Sequence, residues 1–383
     1  MDAAVTPDDL RQRGGLKWTG HDEGVLAAWV AEMDYGLAPS IKDALHDAVD
    51  RGDTAYFYPE IERRVAEAAT TYWHAEFGWS VDPGRVFSVP DVVEGIRRAV
   101  IHLTEPDSPV VLHTPVYFPF FSMIDRAGRE LVEVPSKIRP DGQYHLDTGA
   151  IEKAFADGAG SIVLCNPWNP TGRSFTDEEI DEITGLASRH GARVVSDEIH
   201  APLTYDGVTH VPAASVAPDV VVTVTSASKA WNLPGLKCGQ MVFTNDRDVE
   251  VWSEYYTSDK VGVGTFGLIA NAAAYDGGRV WLEEAMTRLA ENRALLGNLV
   301  STHLPNVGYT EPQATYLAWL DFSRHELDDP ADFLLDGARV ALTAGPPFGH
   351  GGVAHARLNF ATYPDILTDI VERIAAALWA SRR

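Results

Sequence analysis

Between residues 85 and 245 the chain repeats one pattern, a short apolar run rich in β-branched residues and then a stretch long enough for a helix. The runs read RVFSV, PVVLH, ELVEV, SIVLC, ARVVS, VVVTV and QMVF. Strands that alternate with helix-length connections pack as a largely parallel sheet covered on both faces. The expected fold class is therefore α/β, with a large domain built on a mostly parallel seven-stranded sheet between helices.

One connecting helix is well marked. Thr176 with Glu179 forms a capping box, Ile180, Ile183 and Leu186 keep helical spacing, and Gly191 offers a left-handed cap. The next strand then runs into Asp197. Beyond the sheet, residues 265–300 read as one long helical stretch. TYLAWLDF, PADFLLDGA, ARLNFATY and an amphipathic segment from Ile366 to Leu378 follow, and together predict a smaller α+β domain. The expected division is 1–45 as an N-terminal segment packing with the small domain, 46–275 as the large domain and 276–383 as the small domain.

Composition narrows the partners. The 383 residues are 45% hydrophobic, enough for a large core, and 31 Lys+Arg against 55 Asp+Glu give a formal net charge of -24. Such a field repels nucleic-acid backbones and anionic membrane surfaces, so neither is an expected partner. The two cysteines, Cys165 and Cys238, form no CxxC pair and have no His at ligand spacing. They read as buried thiols, and no metal site is expected. The polar opening MDAAVTPDDLRQRGG does not resemble a secretory leader, and no apolar run reaches the ~18 residues of a membrane helix, so the cytoplasm is the expected location.

In open parallel sheets, ligands bind beyond the carboxyl ends of the strands. The polar residues gather there: Asn166 and Asn169 after SIVLC, Asp197 after ARVVS, and Ser226, Ser228 and Lys229 after VVVTV. A lysine desolvated among small residues is a nucleophile toward an aldehyde. Serines beside it suit an anion, and a carboxylate at the next strand end suits a protonated pyridine nitrogen. These features describe pyridoxal 5′-phosphate, with Lys229 at the aldehyde and Asp197 at the ring nitrogen.

Four motifs, NPWNPTG (166–172), SDEIH (196–200), SASKAWNLPGLKCG (226–239) and ARLNF (356–360), resemble in order and spacing the fold-type I PLP-dependent aminotransferase superfamily. Within it, AWVAEMDYGLAPSI (28–41) and SDEIHAPLTYDGVTHVP resemble the cystathionine β-lyases of the MalY/PatB type. The resemblance implies a role for each matching residue. Asn169 would hydrogen-bond the cofactor's phenolic oxygen, and His200, where transaminases commonly place tyrosine, would stand near the same atom. Tyr117 would stack on the ring. The amides of Val92 and Val93 at a helix start, with Ser226 and Ser228, would bind phosphate, and Lys237 would neutralise it as a point charge where many relatives have arginine. Arg357 would clamp the substrate α-carboxylate. Tyr58, with Tyr56 as alternative, would reach the phosphate of a neighbouring subunit, which makes a homodimer the expected assembly.

Read without the motifs, several of these residues are ordinary. An arginine entering a strand is usually a surface charge, and aromatic residues such as Trp168, Trp231 and Phe348 are core by default. The activity that the resemblance implies is a C–S β-lyase acting on a small amino-acid substrate, L-cystathionine or a related S-substituted L-cysteine, to give a thiol, pyruvate and ammonia. An aminotransferase acting on an L-amino acid and a 2-oxo acid is the alternative, because a lysine base can return its proton to either of two carbons.

Overall fold

The computed structural model describes residues 5–56, 58–259 and 262–381. All seven apolar runs enter one sheet. Its spatial order is Val86–Val89, Gly239–Val242, Val221–Thr225, Arg193–Asp197, Ser161–Cys165, Val110–Thr114, Leu131–Pro135. Gly239–Val242 is antiparallel to both neighbours, and the remaining pairs are parallel. Every residue of Val110–Thr114, Ser161–Cys165 and Val221–Thr225 is buried, as parallel strands covered on both faces must be. The partly exposed strand Leu131–Pro135 lies at the edge and ends in a proline, which suits an edge position.

The register brings the chemistry together. Cys165 pairs with Asp197, and Asp197 with Val224, so three adjacent strands end at one level. The helix Asp177–Arg189 opens with the expected capping box, and Gly191 adopts φ +67°.

The stretch expected as one helix over 265–300 is two, Thr265–Gly277 and Arg279–His303. The break has a tertiary cause. A Cβ on Gly278 would stand 2.4 Å from the Trp231 indole nitrogen, which donates to the Gly278 carbonyl at 2.9 Å.

A second, antiparallel sheet orders Gly308–Tyr309, Leu317–Asp321, His355–Asn359 and Thr343–Ala344. The helix Pro364–Ala380 packs against Arg279–His303 and Pro330–Ala338. Near the N-terminus, Leu26–Ala27 pairs in parallel with Val340–Ala341, which ties the start of the chain to the elements around the smaller sheet. Among the described residues no helix is long and apolar enough to cross a membrane, and Cys165 and Cys238 are both buried and unpaired.

Candidate active site

The three central strand ends open into a cavity of about 390 Å³, within the range of roughly 300–1,000 Å³ common for small-molecule sites. Val92, Val93, Tyr117, Asn169, Asp197, His200, Ser226, Ser228, Lys229 and Lys237 line it. Arg357 stands directly behind Asn169, its Nη1 donating to Oδ1 at 2.9 Å. Tyr58 is not part of the lining. It precedes the helix Pro59–Phe77 with about half its surface exposed, and Tyr56 is fully exposed.

One end of the cavity suits an anion. The helix Val92–Leu103 is capped by Asp91, whose Oδ1 accepts from the Glu94 amide at 2.9 Å. The amides of Val92 and Val93 have no acceptor within the helix, and both residues line the cavity. Lys237 Nζ pairs with the other Asp91 oxygen at 2.9 Å. Ser226 also lines the cavity. Its hydroxyl donates to the Cys238 carbonyl at 2.6 Å and accepts from the Ser228 amide at 3.0 Å, so its proton holds the loop beside the cavity.

At the other end, Lys229 Nζ donates to the Ala31 carbonyl at 2.9 Å. Burial, aided by the charge of Arg357 and opposed by Glu32 and Asp197, lowers its pKa to about 8. Asp197 is buried, which raises its pKa to about 7; Glu198 adds to the rise, while the Ile199 amide and Lys229 oppose it. The amide, at 3.1 Å, and the Cys165 thiol, at 4.0 Å, are its hydrogen-bond partners. A carboxylate so desolvated fits a cationic N–H donor. Burial, with the charges of Lys229 and Arg357, lowers the His200 pKa well below its ordinary value, and its Nδ1 has no partner among the described residues.

Arg357 is buried, and burial lowers its pKa to about 10. Besides Asn169 it donates to the Trp29 carbonyl and the Thr343 hydroxyl, both at 3.1 Å, while its Nε is unpartnered. Its guanidinium lies 5.3 Å from the centre of the Phe348 ring. A buried guanidinium without a carboxylate partner among the described residues fits an anionic ligand. An amine of lowered pKa, a desolvated carboxylate, helix-start amides and a buried guanidinium together suit the aldehyde, ring nitrogen and phosphate of pyridoxal phosphate and the carboxylate of an amino acid.

Trp168 and Trp231 are core residues, with their indole nitrogens satisfied by the carbonyls of Pro115 and Gly278. Sequence reasoning missed the Ala31 carbonyl and Tyr316, whose hydroxyl donates to that same oxygen at 3.0 Å. The AWVAEMDYG motif marked this segment, but a main-chain acceptor leaves no side-chain signature. It also missed Arg126, which lines the cavity from the end of the helix Pro119–Arg126.

The sequence profile of the aminotransferase class I and II family matches residues 30–374, and the chain belongs to that family. A cystathionine beta-lyase of Corynebacterium glutamicum is 39% identical over 377 residues, 97% of this chain and 98% of its own. Cystathionine beta-lyase PatB of Bacillus subtilis is 34% identical over 375 residues, 95% of this chain and 96% of its own. A crystal structure from Corynebacterium diphtheriae, named as a candidate PLP-dependent beta-cystathionase, has a TM-score of 0.92 at 38% identity and covers 98% of each chain. Within the family the chain groups with the cystathionine β-lyases of the MalY/PatB type.

Proposed function

We propose that the chain is a pyridoxal-phosphate-dependent C–S β-lyase that cleaves L-cystathionine or a related S-substituted L-cysteine to a thiol, pyruvate and ammonia. One observation carries the reading: a partly buried, desolvated amine, Lys229, and a buried carboxylate, Asp197, share a cavity backed by the buried guanidinium of Arg357. The relatives named as cystathionine β-lyases support the direction of the reaction.

Pyridoxal phosphate, when bound, supplies an aldehyde that takes up the substrate amino group and a cationic ring that draws electrons from the α-carbon. In this reading Asp197 holds the ring nitrogen, and Tyr117 lies against the ring face. Asn169 and His200 hold the phenolic oxygen. The amides of Val92 and Val93, Ser228 and Lys237 bind the phosphate over a loop that Ser226 fixes. Arg357 clamps the α-carboxylate. The amine of Lys229 takes the α-proton, the electron pair forms the Cα–Cβ double bond, and the Cβ–S pair leaves with sulfur as a thiolate, to which Lys229 returns the proton. Water then releases pyruvate and ammonia.

The reading includes a cytoplasmic homodimer in which Tyr58, or Tyr56, completes the neighbouring site, since both are exposed and neither lines this chain's own cavity. It also keeps residues 46–275 and 276–383 as the large and small domains. The test is incubation of the cofactor-loaded protein with L-cystathionine and no 2-oxo acid, following pyruvate and free thiol. Equal, sustained release of both is expected. If turnover requires a 2-oxo acid and an ordinary amino acid, the protein is an aminotransferase.

A further inference from the structure

The backbone from Trp29 to Met33 has no regular structure, yet each of its carbonyls accepts from a side chain that lies elsewhere in sequence. Trp29 accepts from Arg357 and from Thr343, the latter at 2.7 Å. Asn359 spans Val30 and Glu32, at 2.6 and 2.7 Å, and Asn232 takes Met33 at 2.9 Å. At Ala31 the donors are Lys229, at 2.9 Å, and Tyr316, at 3.0 Å. The segment is a rack of fixed acceptors, and the amine of the cavity rests on its middle carbonyl.

A carbonyl oxygen has two lone pairs. We propose that Tyr316 is a positioning residue for Lys229: its hydroxyl occupies one lone pair of the Ala31 carbonyl and fixes the other as the resting acceptor of the Lys229 amine whenever that amine is not bonded to the cofactor aldehyde. An amine with one N–H pinned in this way keeps its nitrogen lone pair free for the aldehyde carbon or for a proton.

The second donor has an electronic consequence. A carbonyl already accepting a hydroxyl proton is a weaker acceptor for an ammonium, so Tyr316 works in the same direction as burial, favouring the uncharged amine. The other charges acting on Lys229 are Arg357, Glu32, Asp197 and Lys237; Arg357 and Glu32 also face Tyr316, and Tyr316→Phe removes none of the four. Burial drives the ionisation of Tyr316 far above its ordinary range, so it remains a donor at every working pH. Among the described residues the hydroxyl's one partner is Ala31, and the ring is fully buried, so Tyr316→Phe removes the hydrogen bond and keeps the packing.

The inference rests on the family's cofactor chemistry and not on the choice between lyase and aminotransferase, so its test is uptake of the cofactor. The amine nitrogen bonds to the aldehyde carbon of added pyridoxal 5′-phosphate with loss of one water, and the cofactor-free protein gains visible absorbance at a measurable rate. In Tyr316→Phe this rate should fall about fivefold below about pH 8, the worth of one hydrogen bond near 1 kcal/mol, and converge on the wild-type rate near about pH 10, where the amine is already neutral. KM for the amino acid should stay within about twofold, since Arg357 is untouched. An unchanged rate and pH dependence would overturn the proposal. So would slowing by the same factor at every pH, the mark of altered packing alone. Failure of the wild-type protein to take up the cofactor would instead refute the cofactor reading.

Discussion

Arg357 donates through Nη1 to Oδ1 of Asn169 at 2.9 Å, which joins the strand His355–Asn359 of the smaller sheet to the loop beyond Ser161–Cys165 of the larger one. The bond fixes which way the Asn169 amide points, because its oxygen is taken and its nitrogen is left as the donor. In the proposed reading, recognition of the substrate carboxylate and support of the cofactor's phenolic oxygen would thereby be linked through one contact.

Arg357→Lys tests that link. Lysine keeps the charge but loses the planar fork, so it cannot serve a carboxylate and Asn169 together. Truncating one member of a buried charge pair costs about 2–5 kcal/mol, so kcat/KM for L-cystathionine should fall at least about thirtyfold. Steady-state kinetics should show KM rising and kcat falling together. A rise in KM alone would mean that the orientation of Asn169 does not matter to the chemistry.

Phe348 lies fully buried beneath the Arg357 guanidinium, at the end of the 3₁₀ turn Pro346–Phe348, whose next residue, Gly349, has φ +86°. A Cβ there would stand 2.5 Å from the Glu133 carboxylate, which receives the His350 amide at 2.7 Å, so the turn that seats Phe348 needs glycine. Phe348→Leu keeps most of the volume and removes the π face. We expect KM to rise about threefold to tenfold with kcat within about twofold, consistent with the loss of a cation–π contact worth about 1 kcal/mol. An unchanged KM would show that the ring only fills space.

The parts of this architecture that were legible in the sequence are those with local causes. The central strands are buried on both faces and therefore read as unbroken apolar runs, and Thr176 and Glu179 lie three residues apart. Asp197 and Lys229 were legible because the polar side chains of this fold gather at strand ends. The break at Gly278 was not, since its cause is the Trp231 indole, 47 residues away. The Ser226 hydroxyl could be identified as a donor, but its target, a carbonyl 12 residues on, depends on how the loop closes. Ala31 acts through its backbone and meets Tyr316 across 285 residues, beyond any local pattern.

Asp197 should make the cofactor-free protein sensitive to pH. Burial raises its pKa from 3.8 to about 7, so between those values the folded chain holds a proton that the unfolded chain has lost. Stability therefore falls as pH rises through this window, by at most about 4 kcal/mol for this group. Asp197→Asn removes the penalty. Its cofactor-free form should melt higher than wild type at pH 8 and show little difference at pH 4, while its affinity for pyridoxal phosphate drops at least about tenfold, as expected for losing a charge-assisted hydrogen bond. Thermal melts at both pH values, with and without cofactor, check this; a lower Tm at pH 8 would show that the carboxylate is not a strained group.

Lys229 gives the opposite sign. Its pKa is lowered from 10.5 to about 8, so below about 8 the amine is protonated in both states and the folded chain bears the full cost of a buried cation. Between about 8 and 10.5 the folded chain has lost a proton that the unfolded chain keeps. Stability accordingly rises with pH over that window, by about 3 kcal/mol at most. Lys229→Ala removes this cost but leaves a void, so the difference in Tm between variant and wild type, both cofactor-free, should shift in favour of the variant at pH 7 relative to pH 10. Turnover should fall by about a hundredfold to ten-thousandfold or more, the usual contribution of a positioned acid–base group, and the visible absorbance of the lysine-bound cofactor should be lost. A variant that turned over L-cystathionine normally would remove Lys229 from the mechanism, and with it the reason a desolvated lysine shares the cavity with Asp197.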